Sequence, residues 1–269
     1  MSGSRFREKY GPSALITGGS EGLGAAFAGE IAARGLDLVL VARRMEPLED
    51  KAAALRAAHG VGVTTLSADA GRDEGLARIA ELAEGREIGL FVHSAALSTI
   101  GEFTEVDPAA HDALLALNCR APALLAHRLG RAMVARGRGG IVLLSSLSAL
   151  AGTAMVAHYA ASKAYQRVLA EGLWEELGPR GVDVLACLAG PTDTPTYRAH
   201  RPATGGWEWP PVLDPAAVAR ETLDALGQGP VVVPGRLGGA TNAVLRLLPS
   251  RLGVRMMSAS TRRMYRSRG

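Results

Sequence analysis

A tyrosine and a lysine stand four residues apart in Tyr159-Ala160-Ala161-Ser162-Lys163, so on a helix both project from one face. An ammonium beside a phenol stabilises the phenolate and lowers its pKa from about 10 toward the working range. Such a pair suits proton donation to a carbonyl oxygen as hydride reaches the carbon. A serine from Ser145-Ser146, at the end of the preceding apolar run, supplies a hydrogen bond to the same oxygen. The chain holds 27 arginines and only three lysines, Lys9, Lys51 and Lys163. A compact ammonium has been kept where a guanidinium would be too wide and too basic.

A second constellation lies near the amino terminus. Thr17-Gly18-Gly19-Ser20-Glu21-Gly22-Leu23-Gly24 leads from a strand pattern straight into a helical one. Glycines let the backbone approach a pyrophosphate, and the helix N-terminus offers free N–H groups and a positive dipole. Gly18, Ser20, Glu21, Gly22, Leu23 and Gly24 are therefore the expected dinucleotide cradle, in the spacing G-x-x-x-G-x-G rather than G-x-G-x-x-G. The next strand pattern ends in Arg43-Arg44, and its one acid, Asp37, stands at the opposite end. Two guanidiniums where the ribose 2′-substituent lies favour a phosphate, hence NADP(H).

The elements that must hold these residues follow from the hydrophobic pattern. Near-continuous apolar runs at 14–17, 36–42, 63–66, 88–93, 141–145, 182–188 and 231–233 read as strands covered on both faces. Helical patterns at 24–34, 46–58, 73–83, 108–136, 159–177 and 215–226 alternate with them. The fold class is α/β, a Rossmann-type doubly wound parallel sheet of about seven strands with helices on both faces. Residues 1–235 form one catalytic domain that includes a long irregular loop at 190–213, and 236–269 form a basic C-terminal extension.

Composition sets the bounds. With 269 residues, 48% hydrophobic and 21% charged, the chain can bury a large core and is not disordered. Cys119 and Cys187 stand far apart in apolar runs, which argues against a disulfide framework or a cysteine zinc site; no metal is expected. The start, Met1 to Gly11, lacks the apolar run of a signal peptide. The uncharged stretch 139–162 reads as buried core rather than a membrane span because it carries four serines, three glycines and His158. The tail from Arg236 holds eight arginines and no acid, leaving 22 cations against 26 anions, net −4, elsewhere. Its leucines and methionines interleaved with arginines make either an amphipathic segment for an anionic membrane surface or a helix packed on the domain or a second subunit. No recognition motif accompanies the charge, so nucleic acid is not an expected partner.

With these motifs in register, the sequence resembles the short-chain dehydrogenase/reductases, in their single-domain branch, from about Tyr10 to Pro234. The resemblance implies that Tyr159 is the acid/base and that Lys163 holds the nicotinamide ribose and lowers the phenol pKa. It selects Ser146, thirteen residues before the tyrosine, and places Asn118 as support for a proton-relay water. Arg43 then looks like the 2′-phosphate ligand with Arg44 second, Asp69 lies near the adenine, and Ala95 lies near the cofactor. Gly190, Thr192 and Thr194 meet the carboxamide and pyrophosphate. Two departures stand out. The family's Asn-Asn-Ala-Gly is His93-Ser94-Ala95-Ala96 here, so His93 or Ser94 must supply hydrogen bonds between strands, and the later Pro-Gly is Ala189-Gly190.

Aromatic residues are only 4% of the chain, yet Tyr197, Trp207 and Trp209 cluster with His200 in the 190–213 loop. They read as an apolar lid and, with Ser148, as the substrate pocket. The expected activity is NADPH-dependent reduction of a fairly apolar carbonyl of the ketoacyl, steroid-like, terpenoid or polyketide class, reversible as an alcohol dehydrogenase. The alternative is a non-catalytic NADP-binding regulator or scaffold on the same fold. The resemblance further implies a homodimer or homotetramer built through the two long helices, and the expected location is cytoplasmic.

Overall fold

The structure, a computed structural model, describes residues 3–200, 211–235 and 247–265. Seven parallel strands form one sheet: β1 (Ser13–Thr17), β2 (Asp37–Ala42), β3 (Val63–Ser67), β4 (Ile88–His93), β5 (Gly139–Ser146), β6 (Val182–Ala189) and β7 (Val231–Val232). Their order is β3-β2-β1-β4-β5-β6-β7. The direction of winding reverses between β1 and β4, and the crevice at their carboxyl ends is where a doubly wound sheet binds its ligand.

Successive side chains of a strand point to opposite faces, so each apolar run feeds two cores. Ile16, Leu38, Leu40, Val142 and Cys187 pack with Phe27, Ile31, Leu48 and Leu223. These belong to α2 (Gly22–Ala32), α3 (Met45–His59) and α9 (Pro215–Ala225). Leu15, Val39, Phe91, Ile141, Leu143 and Val184 face Ile79, Leu125, Met133 and Ala170 on the other side. Those come from α4 (Asp73–Glu84), α6 (Ala121–Arg136) and α7 (Ala157–Leu177). Continuous hydrophobicity in the strands is therefore the sequence trace of burial from both sides.

The helical pattern at 108–136 is not one helix. It divides into α5 (Pro108–Leu115), a π-turn at Ala116–Arg120, and α6. Pro122 lacks an N–H for the carbonyl of Asn118 four residues back, and the Ala121 N–H bonds the carbonyl of Ala116. The helix widens by one residue there.

Three further helices lie outside the helical patterns that alternate with the strands. In α1 (Gly3–Tyr10), Phe6 and Tyr10 are fully buried, and the helix seals the amino ends of β4 and β5. Gly89 makes room for it: a Cβ there would lie 2.4 Å from the Tyr10 carbonyl oxygen. A short α8 (Pro195–His200) follows β6. Last comes α10 (Ser250–Tyr265), the described part of the basic tail. It packs on the segment that follows β5. The Ser258 Oγ accepts from the Ala154 N–H at 3.0 Å and the Thr261 hydroxyl donates to the Ala154 carbonyl at 3.0 Å.

Tyr10 donates its phenol proton to Asp183 Oδ2 at 2.5 Å, and Lys9 pairs with the same carboxylate. This clasp lies at the end of the sheet opposite the ligand crevice. Tyr10→Phe is expected to lower stability in urea unfolding by ~2 kcal/mol, the usual worth of a hydrogen bond to a charged group, with turnover per folded molecule unchanged. A loss below ~0.5 kcal/mol would mean that Lys9 alone satisfies Asp183.

Candidate active site

The glycine turn is shaped for close approach. Gly18 takes φ +75°, and a Cβ on Gly24 would sit 2.0 Å from the Gly18 carbonyl oxygen. The first turn of α2 has no side-chain cap from Glu21, so its N–H groups stay available to an anion. Gly22 lies against Thr194, whose Cγ2 would meet a Cβ there at 3.2 Å, and the Ala95 backbone packs on Gly18. Thr194 and Ala95 are thus brought to the turn. Thr192 is buried instead, its hydroxyl donating to the Gly190 carbonyl at 2.9 Å.

At the end of β2 the two arginines divide. Arg44 pairs with Glu21, while Arg43 is exposed and has no ion-pair partner among the described residues. The Asp69 carboxylate caps its own turn by accepting from the Gly71 N–H at 2.9 Å, with Arg72 at 3.8 Å.

The two serines at the end of β5 also part. Ser145 donates to the Lys163 carbonyl at 2.7 Å, tying β5 to α7. Ser146 hydrogen-bonds toward the Tyr159 phenol. Ser148 Oγ is buried with no hydrogen-bond partner, an orphan that a cofactor or substrate polar group would satisfy.

The Tyr159 pKa departs from expectation. Burial pushes it up to about 12, the nearby Tyr265 phenol pushes the same way, and Ser146 opposes them. Lys163 does not produce the lowering expected of it. Its ammonium lies 5.7 Å from the ring centroid and is engaged elsewhere, donating to the Leu144 carbonyl at 2.7 Å and to Gln166 Oε1 at 3.1 Å. Burial lowers the Lys163 pKa to about 8.

Asn118 sits in the π-turn, fully buried. Its carboxamide exchanges two hydrogen bonds with the Leu97 backbone, at 2.9 and 2.8 Å, and donates to Ser162 Oγ at 3.0 Å. Its main-chain carbonyl accepts from Gln166 Nε2 at 2.7 Å. The Gln166 carboxamide thus bridges the Asn118 carbonyl and the Lys163 ammonium.

His93 supplies the hydrogen bonds that the altered motif required. Its Nε2 bonds the Leu117 carbonyl at 3.2 Å and its Nδ1 meets Thr17 Oγ1 at 2.9 Å. A carbonyl only accepts, so Nε2 carries the proton and Nδ1 accepts from the threonine. Burial and the Lys163 charge keep the ring neutral, with a pKa of about 3.

Two contributors were not found from sequence. Gln166 had a readable signal, since it lies three residues after Lys163 on one helix face. Tyr265 had none. It acts on Tyr159 electrostatically because α10 packs on the segment after β5, and burial raises its own pKa as well. Tyr197 is half-buried on α8, while Trp207 and Trp209 lie outside the described residues.

A family model described as short chain dehydrogenase matches residues 12–204. The chain belongs to this family. A 7beta-hydroxysteroid dehydrogenase of Clostridium sardiniense is 34% identical over 214 residues, 80% of this chain and 78% of that one. A very-long-chain 3-oxoacyl-CoA reductase of Phaeosphaeria nodorum is 28% identical over 249 residues, 89% of this chain and 69% of that one. Among solved structures, one from a study of 7beta-hydroxysteroid dehydrogenase stereoselectivity superposes with a TM-score of 0.87 at 27% identity, covering 94% of this chain and 98% of that one. A short-chain dehydrogenase of Sphingobium yanoikuyae in complex with NADPH gives 0.76 at 32%, covering 88% and 96%. The protein is an oxidoreductase acting on CH–OH and C=O groups with a nicotinamide cofactor, which removes the non-catalytic alternative.

The folded-state pKa of His93 lies below the 6.5 of an unperturbed histidine. Unfolding therefore takes up a proton between about pH 6.5 and 3, and the stability this group supports is full above that window and falls as pH drops through it. Urea unfolding from pH 7.5 to 5 is expected to lose up to ~1.4 kcal/mol per pH unit to His93 below 6.5. His93→Asn is expected to flatten that slope; an equal slope in the variant would assign the acid sensitivity to other groups.

Proposed function

We propose that the protein is an NADPH-dependent reductase of bulky, apolar ketones, with steroid-like carbonyls favoured over ketoacyl chains. The observation that carries this reading is the Tyr159 phenol hydrogen-bonded with Ser146 at the carboxyl end of β5, where burial and the charge interaction with Tyr265 push its pKa up. A phenol with a pKa near 12 is an acid at neutral pH, which suits reduction. The bound nicotinamide supplies hydride to the carbonyl carbon. Ser146 orients the carbonyl oxygen and Tyr159 gives it a proton. Lys163, with two of its donors on Leu144 and Gln166, keeps a third for the ribose hydroxyls.

The free Arg43 at the end of β2 supports a 2′-phosphate and hence NADP(H); Arg44 acts through Glu21 as a support of the same corner. The activity of the 34% identical relative, a 7beta-hydroxysteroid dehydrogenase, supports a steroid-like substrate.

The outer faces of α5, α6 and α7 expose Leu115, Leu124, Tyr165, Val168 and Trp174, which supports assembly of a homodimer or homotetramer through these helices. Arg251, Leu252, Arg255 and Met256 are exposed on α10 and support peripheral contact with an anionic membrane. Among the described residues no helix is long and apolar enough to cross one, and a cytoplasmic location is part of the same reading.

The test is paired. Thermal-shift titration is expected to show stabilisation by NADPH of ~2.7 kcal/mol at a hundredfold excess over Kd, weaker stabilisation by NADH, and loss of that preference in Arg43→Ala. NADPH oxidation across a panel of keto-steroids and 3-oxoacyl thioesters is expected with wild type and not with Tyr159→Phe. A fully active Tyr159→Phe would overturn the mechanism. Tyr265→Ala is expected to raise KM for the steroid several-fold with the NADPH shift intact; an unchanged KM would remove α10 from the substrate pocket.

A further inference from the structure

The widened turn at Ala116–Arg120 releases two carbonyls at once. With the Ala121 N–H bonded to Ala116, the Leu117 carbonyl has no helical partner, and Pro122 has no N–H for Asn118. Each carbonyl is taken by a side chain from another element: His93 of β4 and Gln166 of α7. Gln166 is fully buried and uses both ends of its carboxamide. Nε2 donates to the Asn118 carbonyl at 2.7 Å, and Oε1 accepts from the Lys163 ammonium at 3.1 Å. This orientation has no ambiguity, because a carbonyl only accepts and an ammonium only donates.

We propose that Gln166 is a positioning residue for Lys163, a fixed carboxamide bridge that stands where a relay water would join the ammonium to the Asn118 carbonyl. The bridge does two things. It holds the ammonium by a second acceptor besides the Leu144 carbonyl, so the remaining N–H is aimed rather than free. It also closes this side of the site to proton traffic. A water passes a proton by accepting one and releasing another, whereas an amide doing so must form its imidic acid tautomer. The proton that Tyr159 gives to the carbonyl oxygen is then restored from the mouth of the pocket, not through α7 and the π-turn. The lowered Lys163 pKa accords with an ammonium solvated by two neutral acceptors and no carboxylate.

The kinetic arm of the test rests on the reductase reading, whereas the spectroscopic arm needs neither substrate nor cofactor. The chain has three lysines and two glutamines, Gln166 and Gln228, so both side-chain spectra are simple. Lys163 Cε is assigned with Lys9→Arg and Lys51→Arg. In the wild type the Gln166 side-chain amide protons are expected to exchange slowly and to shift with the Lys163 titration midpoint, while those of Gln228 do neither. Gln166→Met keeps the bulk and removes the acceptor. It is expected to lower the Lys163 midpoint by about one pH unit and kcat by ~10-fold or more, with KM within twofold. Gln166→Ala leaves room for water and is expected to recover much of both. Gln166 amide protons that exchange like those of Gln228 and ignore the Lys163 titration would overturn the proposal, whether or not the variants fold. So would a Gln166→Met variant with the wild-type midpoint and kcat.

Discussion

Pro122 has no N–H to offer the Asn118 carbonyl, and the helix widens by one residue to absorb the loss. The catalytic end of the sheet is organised around that gap. The released carbonyls reach out of the helix and draw in His93 and Gln166, fixing β4 and α7 relative to the turn. Asn118 can then point its carboxamide at the Leu97 backbone and Ser162. Buried polar groups carry a heavy cost unless every one is paired. In this network each one named has a defined partner.

Burial then sets the protonation states. Lys163, Tyr159 and His93 lie together in a region from which water is largely excluded, and desolvation is the leading cause of each shift. It favours the neutral form of all three. The phenol keeps its proton, the imidazole stays uncharged beside the ammonium, and the lysine is brought toward neutrality. The chemical consequence is an acid held ready, with an ammonium whose charge rests on neutral acceptors. His93 does more than replace an asparagine. As a neutral ring with one donor and one acceptor it spans the Thr17 hydroxyl and the Leu117 carbonyl, joining the glycine-turn strand to the π-turn.

The substrate side is built from parts distant in sequence. Ser146 ends β5, and the segment that follows it, with Ser148, is anchored at Ala154 by Ser258 and Thr261 of α10. The same helix brings Tyr265 within electrostatic reach of the Tyr159 phenol. The contacts of this helix thus come from the residues between its charges, and its described arginines, Arg251, Arg255, Arg262 and Arg263, are exposed.

The sequence by itself determined the sheet, because strands buried on both faces must be continuously apolar and parallel strands need helices between them. It also placed the glycine turn, Tyr159, Lys163 and Ser146, since each depends on local spacing along a turn or one helix face. It did not reveal the break in the 108–136 helix, although Pro122 was in plain view, because whether a helix kinks, ends or widens at a proline depends on what can take up the freed carbonyls. Only the tertiary structure decided that Gln166 joins Lys163 to the Asn118 carbonyl, that burial raises the phenol pKa rather than letting it fall, and that Tyr265 comes within electrostatic reach of Tyr159. These outcomes depend on burial and on contacts between residues as far apart as 118 and 166, or 159 and 265, and neither is encoded in the local pattern of the chain.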